Sequence, residues 1–247
     1  MRTLICIPTY NEIENIQSIV ESIISLTSKD LEILVIDDNS PDGTGKLADT
    51  LAEKSSRVHV LHRQGKLGLG KAYVNSFQWA LARDYQAVVT MDADFSHSPK
   101  YVPTLLELLE KNDMVVGSRY VPGGGTVNWG IGRKILSRCG SIYARTILNA
   151  DVRDFTSGFS GMRRTVLEKI DINSLKSDGY SFTIELKYRA HVAGFKITEF
   201  PIVFEDRKVG KSKMNGAIIA EALARVWGYR WRTRQLRREL KAFSRTA

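Results

Sequence analysis

The run Val88-Val89-Thr90-Met91 is apolar and stops abruptly at two carboxylates one residue apart, Asp92 and Asp94. Such a run reads as a buried parallel strand covered by helices. In an open α/β sheet, ligands bind beyond the carboxyl ends of the strands, so both aspartates are expected to face a binding crevice. Hard divalent cations take carboxylate oxygens, and Mg²⁺ is typically held by one or two carboxylates together with substrate phosphates. Asp-x-Asp alone is also common turn or cap chemistry. The weight of the motif therefore depends on what the neighbouring strand ends carry.

They carry similar groups. Residues 4–7 form a short apolar strand ended by Pro8, and Thr9-Tyr10-Asn11-Glu12 then opens a helix with Asn11 as cap and Ile13, Ile16, Ile19, Val20 and Ile23 on its inner face. Glu12 suits a helix first turn, while Pro8, Tyr10 and Glu12 together are placed to line the crevice. Residues 33–36 make a second strand, ending in Asp37-Asp38 and a Pro-Asp-Gly turn. An acid at that tip can accept hydrogen bonds from a ribose or a base. After a third strand, Gly65-Lys66-Leu67-Gly68-Leu69-Gly70-Lys71-Ala72 is one hydroxyl short of a phosphate-binding P-loop, because Ala72 stands where that loop needs Ser or Thr. A P-loop NTPase using Lys71 is thus a rival reading, although it leaves Asp94 and Asp38 without a role.

Further along, Val102, Leu105, Leu106 and Leu109 form the inner face of another helix, and a strand at 114–117 ends in Ser118-Arg119, where a guanidinium could meet a phosphate bidentately. Pro122-Gly123-Gly124-Gly125 reads as a mobile loop. The segment 132–148 is helical, with Ile131, Ile135, Ile142 and Ile147 near one side among Arg133, Lys134, Arg138 and Arg145. That pattern predicts a helix packed on the core, with a membrane-lying helix as the other reading. Residues 196–204 alternate as a strand, and Pro201 marks it as an edge or a bulge. Arg207, Lys208, Lys211 and Lys213 then surround Gly210 in a phosphate-gripping loop or a solvated turn. From 217 onward a long helical pattern sets Trp227, Tyr229 and Trp231 among arginines, a composition suited to lipid head groups, RNA or an oligomer contact.

Composition bounds these readings without choosing between them. A chain of 247 residues buries a full core as one large α/β domain. Its 36 Lys+Arg against 27 Asp+Glu call for an anionic partner: nucleic acid, acidic lipid or a phosphorylated substrate. Cys6 and Cys139 are far apart and read as small buried hydrophobes in a reducing compartment, with no disulfide expected. The chain enters its first strand without a charged-then-apolar leader, and no apolar run approaches the ~20 residues of a membrane span. A soluble or peripheral protein is expected.

Taken in order, Pro8-Thr9-Tyr10-Asn11-Glu12, Val35-Ile36-Asp37-Asp38-Asn39-Ser40-Pro41-Asp42-Gly43-Thr44, Leu67-Gly68-Leu69-Gly70, Met91-Asp92-Ala93-Asp94-Phe95-Ser96-His97, Gly117-Ser118-Arg119-Tyr120 and Asp206-Arg207 to Ser212-Lys213 resemble the dolichol-phosphate (polyprenol-phosphate) mannose synthases, inverting family 2 glycosyltransferases. The resemblance implies a GT-A fold with a central mixed, mostly parallel sheet over 1–213, divided into a nucleotide-sugar and metal half (1–119) and an acceptor half (120–213), followed by a basic, aromatic, amphipathic helical tail at 214–247. It implies transfer of mannose from GDP-mannose to a polyprenyl or dolichyl phosphate, with close cousins using UDP-glucose or other donors. By the same resemblance Pro8, Tyr10, Glu12, Ile36 and Asp38 hold the guanosine part. Asp92 and Asp94, with Ala93 between them and Ser96 near, bind Mg²⁺ or Mn²⁺, and Arg119, Arg207 and Lys213 grip phosphates, with Asp94, Arg207 and Lys213 carrying catalysis. The expected setting is peripheral, at the cytoplasmic face of a membrane, with no nucleic-acid partner and with the tail or a small anchoring subunit supplying attachment. The chain departs from the pattern at Ser160, where many relatives carry a basic residue, and Arg163 or Arg133 is expected to compensate.

Overall fold

The computed structural model describes residues 1–26, 30–175, 177, 179–205 and 216–246. Strand β1 (Thr3–Thr9) leads through α1 (Ile16–Leu26) to β2 (Leu31–Asp37), and α2 (Thr44–Lys54) leads to β3 (Val58–His62). Helix α3 (Leu69–Leu81) then crosses to β4 (Ala87–Thr90), and α4 (Val102–Leu109) precedes β5 (Met114–Ser118). The second half runs β6 (Gly125–Val127), α5 (Ile131–Leu148), β7 (Ser160–Arg163), α6 (Arg164–Lys169), α7 (Gly179–Val192), β8 (Ile197–Pro201), β9 (Val203–Glu205), α8 (Gly216–Trp231) and α9 (Thr233–Thr246).

The main sheet has the order β3-β2-β1-β4-β7-β5-β8, parallel except at β7, which runs against both its neighbours. Strand residues alternate between two cores, as the period of two requires. Ile5, Ile7, Ile33, Val35 and Val89 meet α1 and α4 on one face, while Leu4, Cys6, Leu34, Ile36 and Val88 meet α3, α6 and α7 on the other. The chain winds outward from β1 to β3 and then returns to place β4 on the other side of β1. That reversal opens a crevice between the ends of β1 and β4, the site at which open α/β sheets bind ligands.

Several expectations need correction. Asn11 does not cap a helix: it sits at φ 60° and its N–H donates to Ser40 Oγ, and α1 starts only at Ile16, leaving Ile13 exposed. The glycine loop at 122–125 ends in β6, which pairs with β9. The strand expected over 196–204 is broken at Ile202 into β8, at the sheet edge as Pro201 implied, and β9. The tail forms two helices rather than one. Most consequential is α5. Its isoleucines were expected to face the core, yet Ile131, Ile135 and Ile142 are 77%, 58% and 55% exposed, and the buried side is Ser141, Ala144 and Leu148.

The segment between α5 and β7 is held by buried charge. Arg119, at the tip of β5, donates through Nε and Nη2 to the two carboxylate oxygens of Asp154, each at 2.7 Å, and its backbone N–H donates to the same group. Glu199 on β8 accepts the backbone N–H groups of Arg153 and Asp154. Lys187 on α7 is wholly buried, and its Nζ donates to the carbonyls of Phe155 at 3.0 Å and Ser157 at 2.6 Å. Burial pushes the Lys187 ammonium down to about 8, with Asp154 opposing the shift. Burial raises the Asp154 carboxyl, but Arg119 outweighs it and holds the group below the usual carboxylate range.

A lysine whose folded pKa lies below its unfolded value holds fewer protons than the unfolded chain between the two, so stability rises with pH across that window. Lys187→Met should therefore lower stability at pH 7 by about 2–4 kcal/mol, because two buried carbonyls lose their donor. The gap from the wild type should widen by on the order of 3 kcal/mol between pH 8 and 10.5. Urea denaturation of both proteins across that range measures it, and a gap independent of pH would contradict the brace.

Candidate active site

The crevice at the strand ends is a cleft of about 370 Å³, within the size range of small-molecule sites. From β1 come Pro8 and Thr9, followed by Tyr10 and Glu12. Glu12 is positioned through its backbone, whose N–H donates to Thr44 Oγ1 at 2.9 Å, and through its Oε2, which accepts from Asn15 Nδ2 at 2.9 Å. Asp38, just past β2, lines the cleft and accepts from Arg63 Nη1 at 2.5 Å. Burial raises its carboxyl above the ordinary value, against the pull of Arg63. Ile36 differs from the expectation: it is fully buried, packs in the core and does not line the cleft, so its side chain cannot contact a base from there.

Asp92, Ala93, Asp94 and Ser96 all border the cleft. The turn is held by its own side chains. Asp94 Oδ1 accepts both the backbone N–H of Ser96 at 3.1 Å and its hydroxyl at 2.5 Å, with Phe95 between them at φ 59°. In this geometry Ser96 orients Asp94. His97, to which the sequence reading assigned no role, lies behind the pair. Its Nδ1 accepts the Asp92 N–H at 3.1 Å while its ring stacks on Phe159 and meets the edge of Phe204. Burial pushes the imidazole pKa down, in keeping with a neutral ring that accepts at Nδ1. Among the described residues no three His, Cys, Asp or Glu side chains converge as a metal cage. Two carboxylates one residue apart are instead the donor set of a cation whose remaining ligands are water and substrate phosphate, which fits Mg²⁺ or Mn²⁺.

The glycine-rich loop does reach the cleft, though not as a P-loop would. Gly68, at φ 99°, and Leu69 line the wall, and the nearby cation is Lys66, whose Nζ lies 4.4 Å from the centroid of the Tyr10 ring. Lys71 is exposed and not part of the lining, which removes the lysine on which the NTPase reading depends.

The opposite wall is built by Arg119, the last residue of the first half, and by the second half of the chain. Arg119 lines it while engaged with Asp154. Arg133, one turn into α5, lies 4.1 Å over the Trp129 ring, and Trp129 meets the edge of Phe204. Thr156, Ser157 and Gly158 form the loop braced by Lys187, and Gly179 and Thr183 enter from α7. A side chain at 158 would crowd the His97 ring at 3.2 Å, which accounts for a glycine beside the aspartates. Ser160 is buried in β7 against Thr90, 3.1 Å between hydroxyls. Arg163 cannot compensate for it, because its guanidinium caps the carbonyls of Leu109 and Glu110 at the far end of the sheet, whereas Arg133 is at the cleft. Arg207 and Lys213 lie outside the described residues. Trp129, Phe204, Thr183 and Lys66 were not singled out by the sequence, since a lone aromatic, hydroxyl or lysine is too common to mark a site.

The four carboxylates of the cleft, Glu12, Asp38, Asp92 and Asp94, all stand on the wall built by the first half. The second-half wall contributes arginines, hydroxyls and aromatics. Glu185 on α7 is turned away into a buried ion pair with Arg189, 2.7 Å between Oε1 and Nη2.

Residues 4–171 match the family described as Glycosyl transferase family 2. The polyprenol monophosphomannose synthase of Mycolicibacterium smegmatis is 48% identical over 235 residues, covering 94% of this chain and 88% of that protein. The undecaprenyl-phosphate mannosyltransferase of Micrococcus luteus is 45% identical over 242 residues, covering 97% and 99%. Among solved structures, glucosyl-3-phosphoglycerate synthase from Mycobacterium tuberculosis in complex with Mn²⁺, UDP-glucose and phosphoglyceric acid aligns with a TM-score of 0.67 at 21% identity, over 92% of this chain and 79% of that one. Its complex with Mn²⁺, UDP and glucosyl-3-phosphoglycerate aligns at 0.63. These structures share the GT-A fold seen here, an α/β domain around a mixed, mostly parallel sheet. With the fold, the strand-end carboxylates and near end-to-end likeness to two curated relatives in agreement, the chain belongs to glycosyl transferase family 2.

Proposed function

We propose that the protein transfers mannose from GDP-mannose to the phosphate of a polyprenol with inversion, giving a polyprenyl β-mannosyl phosphate and GDP. The observation that carries this reading is the absence, among the described residues, of any carboxylate on the acceptor wall of the cleft. Transfer to a neutral hydroxyl calls for a general base. A phosphate oxygen is already ionised at neutral pH and needs none. Arg133, beside Trp129, suits that anion. The names of the two relatives point to the same acceptor class and the same sugar.

In this reading Pro8, Tyr10, Glu12 and Asp38 hold the nucleoside, and Lys66 adds a cation near its phosphates. Asp92 and Asp94 would hold Mg²⁺ or Mn²⁺, which would supply charge neutralisation for the departing diphosphate. Ser96 and His97 keep the carboxylate turn in place. The acceptor oxygen attacks C1 of the sugar on the face opposite the diphosphate. The C1–O bond to the β-phosphate breaks, and its electron pair leaves with GDP. Arg133, with Arg119, Arg207 and Lys213, stabilises the phosphate charge on either side of the transfer. Catalysis then rests on in-line placement and charge neutralisation. Residues 1–119 make the donor half, 120–213 the acceptor half and 214–247 a basic tail.

The acceptor's chain is apolar, so the enzyme must meet a bilayer, yet no helix of the described residues is long and apolar enough to cross one. The exposed isoleucines of α5, flanked by Arg133, Lys134, Arg138 and Arg145, suit an anionic lipid surface. Exposed Trp227 and Trp231 offer a second aromatic contact. Free Cys6 and Cys139 accord with a reducing, cytoplasmic side.

Asp94→Ala should retain the wild-type circular dichroism and lower turnover by about a thousandfold or more. The assay supplies labelled GDP-mannose, UDP-glucose or ATP with Mn²⁺ and a polyprenyl phosphate and counts label in extracted lipid. Near-normal activity in the variant would exclude the metal role, and label from UDP-glucose alone would reassign the donor. The double variant Ile135→Asp, Ile142→Asp should reduce sedimentation with phosphatidylglycerol vesicles by about tenfold, while activity on a short, detergent-dispersed acceptor is kept. Unchanged sedimentation would remove α5 from the membrane contact.

A further inference from the structure

Tyr73 lies in the second turn of α3, with its ring buried to 1% exposure. The ring is fixed by stacking, at 12° to Phe182 with centroids 5.6 Å apart and at 23° to Phe77 with centroids 6.1 Å apart. Its hydroxyl oxygen is buried and, among the described residues, has no hydrogen-bond partner. Other tyrosine hydroxyls find one: Tyr85 donates to Glu32 at 2.6 Å, Tyr120 to Ser137 at 2.7 Å, and Tyr101 accepts the Val203 N–H at 2.9 Å. A buried polar group without a partner is destabilising and is kept where something else satisfies it.

The place of this hydroxyl says what that is. Tyr73 lines the same cleft as Asp92 and Asp94 and as Gly179 and Thr183 of α7. Burial raises its pKa well above the ordinary phenol value, and the charges of Asp92 and Asp94 add to the shift, so the phenol is neutral and within the field of both carboxylates. A diphosphate seated at those carboxylates carries its sugar one oxygen beyond the terminal phosphorus. A sugar so carried stays within the cleft that Tyr73 lines.

We propose that Tyr73 is a substrate-contacting, specificity-determining residue whose hydroxyl donates a hydrogen bond to a hydroxyl of the transferred hexose. This rests on the reading that a sugar nucleotide occupies the cleft.

Tyr73→Phe tests it, because the variant removes one oxygen and keeps both stacks. The melting temperature should be unchanged or higher. The affinity for GDP with Mn²⁺, measured calorimetrically, should stay within twofold of wild type. The kcat/KM for the hexose donor should fall about tenfold or more, and the preference over the donor bearing an epimeric hexose should shrink by a similar factor. Any of three results overturns the proposal: kinetics within twofold of wild type, an equal loss of GDP affinity, which would tie the phenol to the metal and diphosphate, or a lowered melting temperature, which would make it a packing group. The wild type in the same assay keeps the two readings apart. If it transfers a hexose and the variant matches it, only the Tyr73 role fails. If the wild type transfers no hexose from any sugar nucleotide, the glycosyltransfer reading fails and this one with it.

Discussion

Two like charges close together at the end of a strand buried on both faces repel each other, and a cation would relieve that repulsion. Strand β4 is buried throughout, flanked by β1 and β7. The carboxylates that follow it emerge where the winding of the sheet reverses, opposite the end of β1. The surrounding loops serve this position: the Ser96 hydrogen bonds orient Asp94, His97 fixes the Asp92 backbone, and Gly158, from the second half, keeps the approach clear. On the proposed function, a nucleoside diphosphate would supply the oxygens that a cation on two carboxylates still lacks.

The second half contributes a wall of opposite character. Its brace is a buried set of charges, Arg119 with Asp154, Glu199 on the backbone of 153–154, and Lys187 on the carbonyls of 155 and 157. Buried charges seldom add net stability, but they leave little freedom to the segment they hold. That segment lines the cleft through Thr156, Ser157 and Gly158 and follows α5, whose Ile131, Ile135 and Ile142 are exposed. The asymmetry is chemical as well: acids for the cation on one wall, and arginine, hydroxyl and aromatic groups on the other.

What was legible in the sequence follows from which signals are local. Strand ends, the Asp92–Asp94 turn and the order of the first-half elements are set by short-range pattern, and there the expected and observed elements agree to within a few residues. The Asn11 cap failed because the turn residue is held by Ser40 of another loop, a tertiary contact that pattern does not carry. Helix α5 was recognised as amphipathic, yet periodicity alone does not say which face meets the core. Ser141, Ala144 and Leu148 pack inward while Ile131, Ile135 and Ile142 remain outside. Lys66 was passed over for Lys71 because a loop's path decides which lysine reaches the cleft. Ile36 entered only through likeness to relatives, and its burial removes it from the side-chain contacts.

The central claim is that Asp92 and Asp94 seat a divalent cation beneath a nucleoside diphosphate. Calorimetric titration of GDP into the protein, with Mn²⁺ and then with excess chelator, addresses it most directly. The account predicts clear binding with the cation, a loss of about tenfold or more in chelator, and no response to the cation when Asp92 and Asp94 are both changed to Asn. Equal GDP affinity with and without the cation in the wild type would contradict it.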